Sequence, residues 1–152
     1  MITIRLAKES DIEELLLVNP LLSKKLIMDR LETQRKKDAD YLVLDDGKKL
    51  LGQVLLKWQG KPTHPDYPDI ENIYVRGSER GKGYGKILIE ECERKAKTRG
   101  CKKIGLAVNH EPNCPEQKLY LKLGYQHDGR KEYSLKIYEE VTDVVIDMEK
   151  DL

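Results

Sequence analysis

Six residues, Arg80-Gly81-Lys82-Gly83-Tyr84-Gly85, carry the densest chemical signal in this sequence. They follow the strand-like run Ile70-Glu71-Asn72-Ile73-Tyr74-Val75, and beyond Gly83 the apolar residues change to helical spacing. A strand that turns through glycines into a helix presents first-turn N–H groups with no internal partner, backed by the positive end of the helix dipole. Glycines make positive φ available and remove Cβ atoms, so a bulky anion can reach the main chain. Between positions 76 and 86 the cations Arg76, Arg80, Lys82 and Lys86 stand against Glu79 alone. A diphosphate is the guest that such a turn suits.

Spacing separates the families that use this physics. A dinucleotide fingerprint G-x-G-x-x-G fails, because its last glycine falls on Lys86 or on Leu88. A Walker loop fails as well, with Arg80 where glycine is required and Ile87 where Ser or Thr is required. The pattern R/Q-x-x-G-x-G/A is filled by Arg80, Gly83 and Gly85. A second block, N-x-x-A-x-x-x-Y-x-K-x-G-F/Y, is met by Asn113, Tyr120, Lys122, Gly124 and Tyr125, with Glu116 in place of the usual alanine. With the opening Ile4-Arg5-Leu6-Ala7 and Ser10-Asp11-Ile12, these blocks make nearly the whole chain resemble the GNAT (N-acetyltransferase) superfamily.

The resemblance implies acetyl-coenzyme A as co-substrate, with the amides of Arg80, Gly81, Lys82, Gly83, Tyr84, Gly85 and Lys86 around its diphosphate. It implies that the Val75 N–H meets the thioester carbonyl and that Ile73 and Tyr74 line the pantetheine path. Tyr120 would be the general acid for the departing thiolate, and Asn113 would contact coenzyme A or brace its helix. Acetylating an amine also requires that an ammonium with a pKa near 10 lose its proton. Glu71 stands four residues before Val75, where some family members carry a base, and alternation puts Glu71, Ile73 and Val75 on one strand face. A solvated carboxylate is the competing account of Glu71. Direct transfer to a primary amine, without a covalent enzyme intermediate, is the expected reaction; an acyl-CoA-sensing module without chemistry is the alternative. Asp66, Asp69 and Glu71 favour a cationic small-molecule or peptide amine as acceptor.

The elements that must position these residues follow from periodicity. A strand at residues 3–6 leads to a helix capped by Ser10 with Glu13 reaching back, ending near Asn19-Pro20. A second helix spans 21–37, with Leu22, Leu26, Ile27 and Leu31 inward and Lys24, Lys25, Arg30 and Arg35 toward water. Strands at 41–44 and 50–56 join through Asp45-Asp46-Gly47-Lys48, and the proline-rich stretch 60–68, with His64 and Tyr67, is an irregular loop. After the glycine loop come a helix stopped by Gly100, a strand at 102–108, a short helix at 116–123 and two final strands at 133–137 and 141–148. The prediction is one α/β (α+β) domain over residues 1–152, a mixed, twisted sheet flanked by helices.

With 152 residues, 39% hydrophobic and 36% charged, the chain can build one core and has no apolar run long enough for a bilayer. Without a signal-like start, and with an odd set of cysteines (Cys92, Cys101 and Cys114) lacking metal spacing, a cytoplasmic protein with reduced thiols is expected. A net charge of +1 gives no reason to expect nucleic-acid or membrane partners, and His64, His110 and His127 share no ligand spacing, so no metal is expected. The last two strands leave an edge at which a second copy could pair as a homodimer.

Overall fold

The structure, a computed structural model, describes residues 1–152. Its framework is set by two apolar strands, β2 (Ala39–Asp45) and β3 (Leu50–Lys57), in which nearly every side chain is buried. Such a run needs cover on both faces. The helices α1 (Ile12–Val18) and α2 (Lys24–Arg35) supply it on one face, around Leu15, Ile27, Tyr41, Val43 and Leu55. On the other, α3 (Tyr84–Thr98) buries Leu88, Ile89, Cys92 and Ala96 against Leu42, Leu44, Val54 and Leu56.

The remaining strands are β1 (Thr3–Leu6), β4 (Asp69–Val75), β5 (Lys103–Asn109), β6 (Gln126–His127), β7 (Tyr133–Tyr138) and β8 (Val141–Asp151), and α4 (Pro115–Lys122) follows β5. The sheet order is β1-β2-β3-β4-β5-β8-β6, with β7 also paired to β8. Only β4 and β5 run parallel, and they pair just at Asp69–Gly105 and Ile70–Leu106. Beyond those pairs the two strands part, and the opening between them positions the site.

Four local expectations are corrected. The first helix is led by a 3-10 turn at Glu9–Asp11, and Asp11, not Ser10, closes it by accepting from the Lys8 N–H at 2.9 Å and pairing with Arg5 at 2.8 Å. The second helix begins at Lys24, where Ser23 Oγ accepts from the Leu26 N–H. Arg30, expected in water, is buried. The fourth concerns β4. A bulge between Glu71 and Tyr74 breaks its alternation: Leu55 pairs with Glu71 and Gln53 with Tyr74, so Glu71 and Tyr74 share the α1/α2 face. Ile73 packs instead with the α3-side core, so Glu71 does not share a face with Ile73. Asn72 sits in the bulge at φ +54°, a conformation Asn tolerates better than most residues.

Candidate active site

The glycine turn is built as its composition demands. Gly81 and Gly83 adopt φ of +80° and +84°, and a Cβ at either would meet nothing within 4 Å, so these glycines serve the backbone path and an open approach. Gly83 is the N-cap of α3 and carries no side chain, so the first-turn N–H groups have no capping acceptor. The cations divide. Arg76 turns back to Glu14 (2.9 Å) and the Leu50 carbonyl, and Lys82 pairs with buried Glu79 at 2.6 Å, as does Lys49 at 2.7 Å. Arg80 lies 4.9 Å over the Tyr74 ring and donates to the Val75 carbonyl, which ties the loop to the end of β4. Lys86 has no ion-pair partner.

Register fixes the direction of the Val75 amide. The Arg76 N–H donates to the Leu51 carbonyl at 2.8 Å, which makes Gly52 and Val75 a non-hydrogen-bonded antiparallel pair. The Val75 N–H therefore points away from β3, into the side where β5 has already separated. β3 comes close enough there that a Cβ at Gly52 would lie 3.0 Å from the Tyr74 carbonyl oxygen.

The opening continues as a cleft of about 500 Å³ whose lining includes Glu71, Asn72, Ile73, Val108, Cys114 and Tyr120. Tyr120, on α4, packs edge-on to Tyr125 with ring centroids 6.2 Å apart. Its hydroxyl has no protein partner, and burial, followed by the acidic influence of Glu116 and Cys114, pushes its pKa up to about 12. The phenol is thus a proton carrier at neutral pH. Glu71 keeps about a third of its side chain accessible and lies 3.5 Å from Lys57. Burial above all, then the negative Asp69, raises its pKa; Lys57 and Lys61 oppose the rise. The structure thus brings Glu71, Ile73 and Tyr120 to one cleft beside the glycine turn.

Asn113 stands apart. It adopts φ +71° and is exposed, and the bracing falls to Asn109, which Gln117 reaches at its carbonyl (2.7 Å) and which itself donates to Asp143 (2.9 Å). The proline-rich loop is also more organised than its composition suggests. His64 is buried, stacks on Tyr67 with centroids 4.3 Å apart, and faces Asp69 at 3.0 Å. Lys61 bridges Asp69 (3.3 Å) and Asp147 (2.9 Å), so the carboxylate next to Glu71 is held by Lys61 and by the His64 ring. Sequence reasoning also missed a polar chain on the α2 side: Arg30 donates to Gln53, Gln53 to Asn72, and both Asn72 and Asn19 to the Tyr138 hydroxyl. One signal was available: Gln53 is the only polar side chain inside an otherwise apolar strand. No group of three or more His, Cys, Asp or Glu residues is placed to hold a metal ion, and no helix is long and apolar enough to cross a membrane.

A mixed sheet opened between two parallel strands, with a glycine turn and helix N-terminus at the mouth, defines an acyltransferase-type architecture. Residues 10–125 match the model of the acetyltransferase (GNAT) family, and the chain belongs to that family. No curated protein matches the sequence significantly. Among solved structures, the PaiA N-acetyltransferase of Thermoplasma acidophilum in complex with coenzyme A superposes with a TM-score of 0.75 at 19% identity, covering 100% of this chain and 99% of that one. The ribosomal-protein-S18-alanine N-acetyltransferase of Escherichia coli gives 0.75 at 17% identity over 99% and 94%. A GNAT family acetyltransferase from Elizabethkingia anophelis with acetyl-CoA bound gives 0.67 at 20% over 99% and 98%. At such identities the shared property is the fold.

Proposed function

We propose that the protein transfers an acetyl group from acetyl-CoA to a primary amine by direct attack while both substrates are bound. The observation that carries this reading is the meeting of a half-buried Glu71 and a protonated Tyr120 in one cleft along β4, the strand whose end at Val75 turns its amide away from β3 and leads into the glycine turn. The coenzyme fits the residues present. Gly81 and Gly83 leave room for a diphosphate at the first-turn amides, and Lys86 and the exposed edge of Arg80 add positive charge. The presence of coenzyme A or acetyl-CoA in two structures of the same fold supports the same guest.

Each residue then has a job. The Val75 N–H donates to the thioester carbonyl, an interaction that strengthens as charge grows on that oxygen. Glu71 receives the ammonium proton through water; its raised pKa makes it a better base than an ordinary carboxylate. Tyr120 gives its phenolic proton to the departing sulfur and regains one from solvent. Ile73 and Tyr74 flank the path between the turn and the cleft. Asn113, exposed just before α4, remains available to the coenzyme's outer part.

The test is release of free coenzyme A thiol from acetyl-CoA across a panel of primary amines. Amine-dependent release is expected, and Tyr120→Phe should reduce it about a hundredfold, within the usual range for a positioned acid, while coenzyme A still binds. Coenzyme binding with no release for any amine would replace this reading with a sensing module.

A further inference from the structure

Buried charges in this protein are paired, with one exception. Asp11 meets Arg5, Lys61 meets Asp69 and Asp147, and Glu79 meets Lys49 and Lys82. Arg30 is only 6% exposed and has no carboxylate within ion-pair distance. Its Nη1 reaches Gln53 Oε1 at 3.1 Å and, more weakly, the Tyr41 hydroxyl at 3.4 Å, and its guanidinium lies 5.4 Å over the Tyr41 ring. Nε and Nη2 donate to no protein group. An arginine keeps its charge, and a buried charge without a counter-ion is costly unless something supplies one.

Arg30 lines the same cleft as Glu71 and Tyr120, so a counter-ion could arrive by that route. The guanidinium is held for it: Gln53 is fixed by the Tyr41 hydroxyl (2.8 Å) and by its own bonds to Asn72. The edge left open, Nε with Nη2, is shaped to grip a carboxylate in two parallel bonds. The other charged groups of the cleft do not fill the role. Asp69 is taken by Lys61 and His64, Asp143 by Asn109, Glu71 and Glu116 lie beyond ion-pair reach of Arg30, and Lys136, a cation, cannot neutralise it.

We infer that Arg30 is a specificity residue that binds a carboxylate carried by the acceptor, so that the acceptor is a small amino acid and not a plain amine or a polyamine. The inference rests on the acetyltransferase reading and names the substrate of that same site. Arg30 contacts Gln53, and Glu71 pairs with Leu55, two residues further along the same face of β3. Those two strand positions are about 7 Å apart, so Arg30 and Glu71 stand at neighbouring places in one cleft and suit the two ends of a small acceptor.

The experiment compares matched acceptors with the wild-type protein: β-alanine against propylamine, 4-aminobutyrate against butylamine, with putrescine and an acidic dipeptide amide as further arms. The amino acids should show at least about tenfold higher kcat/KM, because a site built to bond a group rejects analogues that lack it. In the dead-end complex with coenzyme A, β-alanine but not propylamine should raise the melting temperature, a readout independent of turnover. Arg30→Met should collapse the ratio between paired acceptors, and Arg30→Lys should retain part of it, with coenzyme-induced thermal shift confirming that each variant folds. Equal use of propylamine, preference for putrescine, turnover of the peptide alone, or an unchanged ratio in Arg30→Met would overturn the inference. Those outcomes leave the acetyltransferase reading standing; coenzyme binding without turnover of any amine would remove both.

Discussion

At the residue scale the account depends on two protons. Tyr120 must hold one at working pH, and its burial, with Glu116 and Cys114 nearby, ensures that it does. Glu71 must release one, and here the sign matters. Burial first and Asp69 second raise its pKa, so the basic form grows in only as pH climbs through that raised value. The rate of acetylation at low substrate should therefore rise along an acid limb assigned to Glu71, and Glu71→Gln should flatten that limb as well as lower kcat. A limb unchanged in Glu71→Gln would assign the base elsewhere. The sequence singled out both positions, Tyr120 from its spacing to Gly124 and Tyr125 and Glu71 from its distance to Val75, and both line the cleft. Arg30 was not: on helical periodicity it falls among Lys24, Lys25 and Arg35, which stay in water, and only the third dimension places it against Gln53.

At the element scale the glycine turn and the β4 bulge shape the candidate site. The turn was readable because φ near +80° at Gly81 and Gly83 demands a residue type that stands out in a sequence. The bulge was not, since a single extra residue in a strand leaves no periodic trace when its neighbours are polar and apolar in turn. Its consequence is concrete, for it separates Glu71 from the face of Ile73. Gly83→Ala should cost about 1–2 kcal/mol, the price of a left-handed non-glycine residue, and weaken coenzyme binding more than it weakens the fold. Gly60→Ala should be the more damaging, because a Cβ there runs into the His64 and Tyr67 carbonyl oxygens around the buried histidine. Urea melts of the two variants test the ranking, and a milder effect at Gly60 would contradict the packing described for the loop.

At the scale of the whole molecule, the apolar runs and helical stripes were enough to specify a mixed sheet covered on both faces, while the free Val75 N–H where β4 parts from β5 followed from the family resemblance and not from periodicity. The layers are tied by carboxylates whose pKa values are lowered. Burial works against Asp11 and Asp147 in this respect, but bonds from Arg5 and Lys8 to the first, and from Tyr133 and Lys61 to the second, outweigh it. Stability from such groups is complete above their unfolded values near 4 and is lost as pH falls through the folded ones. The melting temperature should accordingly hold from neutrality to about pH 5 and drop below pH 4. Asp11→Asn should remove part of that slope, and an unchanged slope would show that Arg5 and Asp11 do not tie the first strand to the first helix as the contact suggests. The most direct measurement of the central claim is a crystal structure of the complex with acetyl-CoA. The diphosphate should lie on the main-chain amides from Gly81 to Lys86, with the thioester carbonyl accepting from the Val75 N–H and the sulfur facing Tyr120. A diphosphate bound away from that turn, or a thioester outside the gap between β4 and β5, would contradict the account.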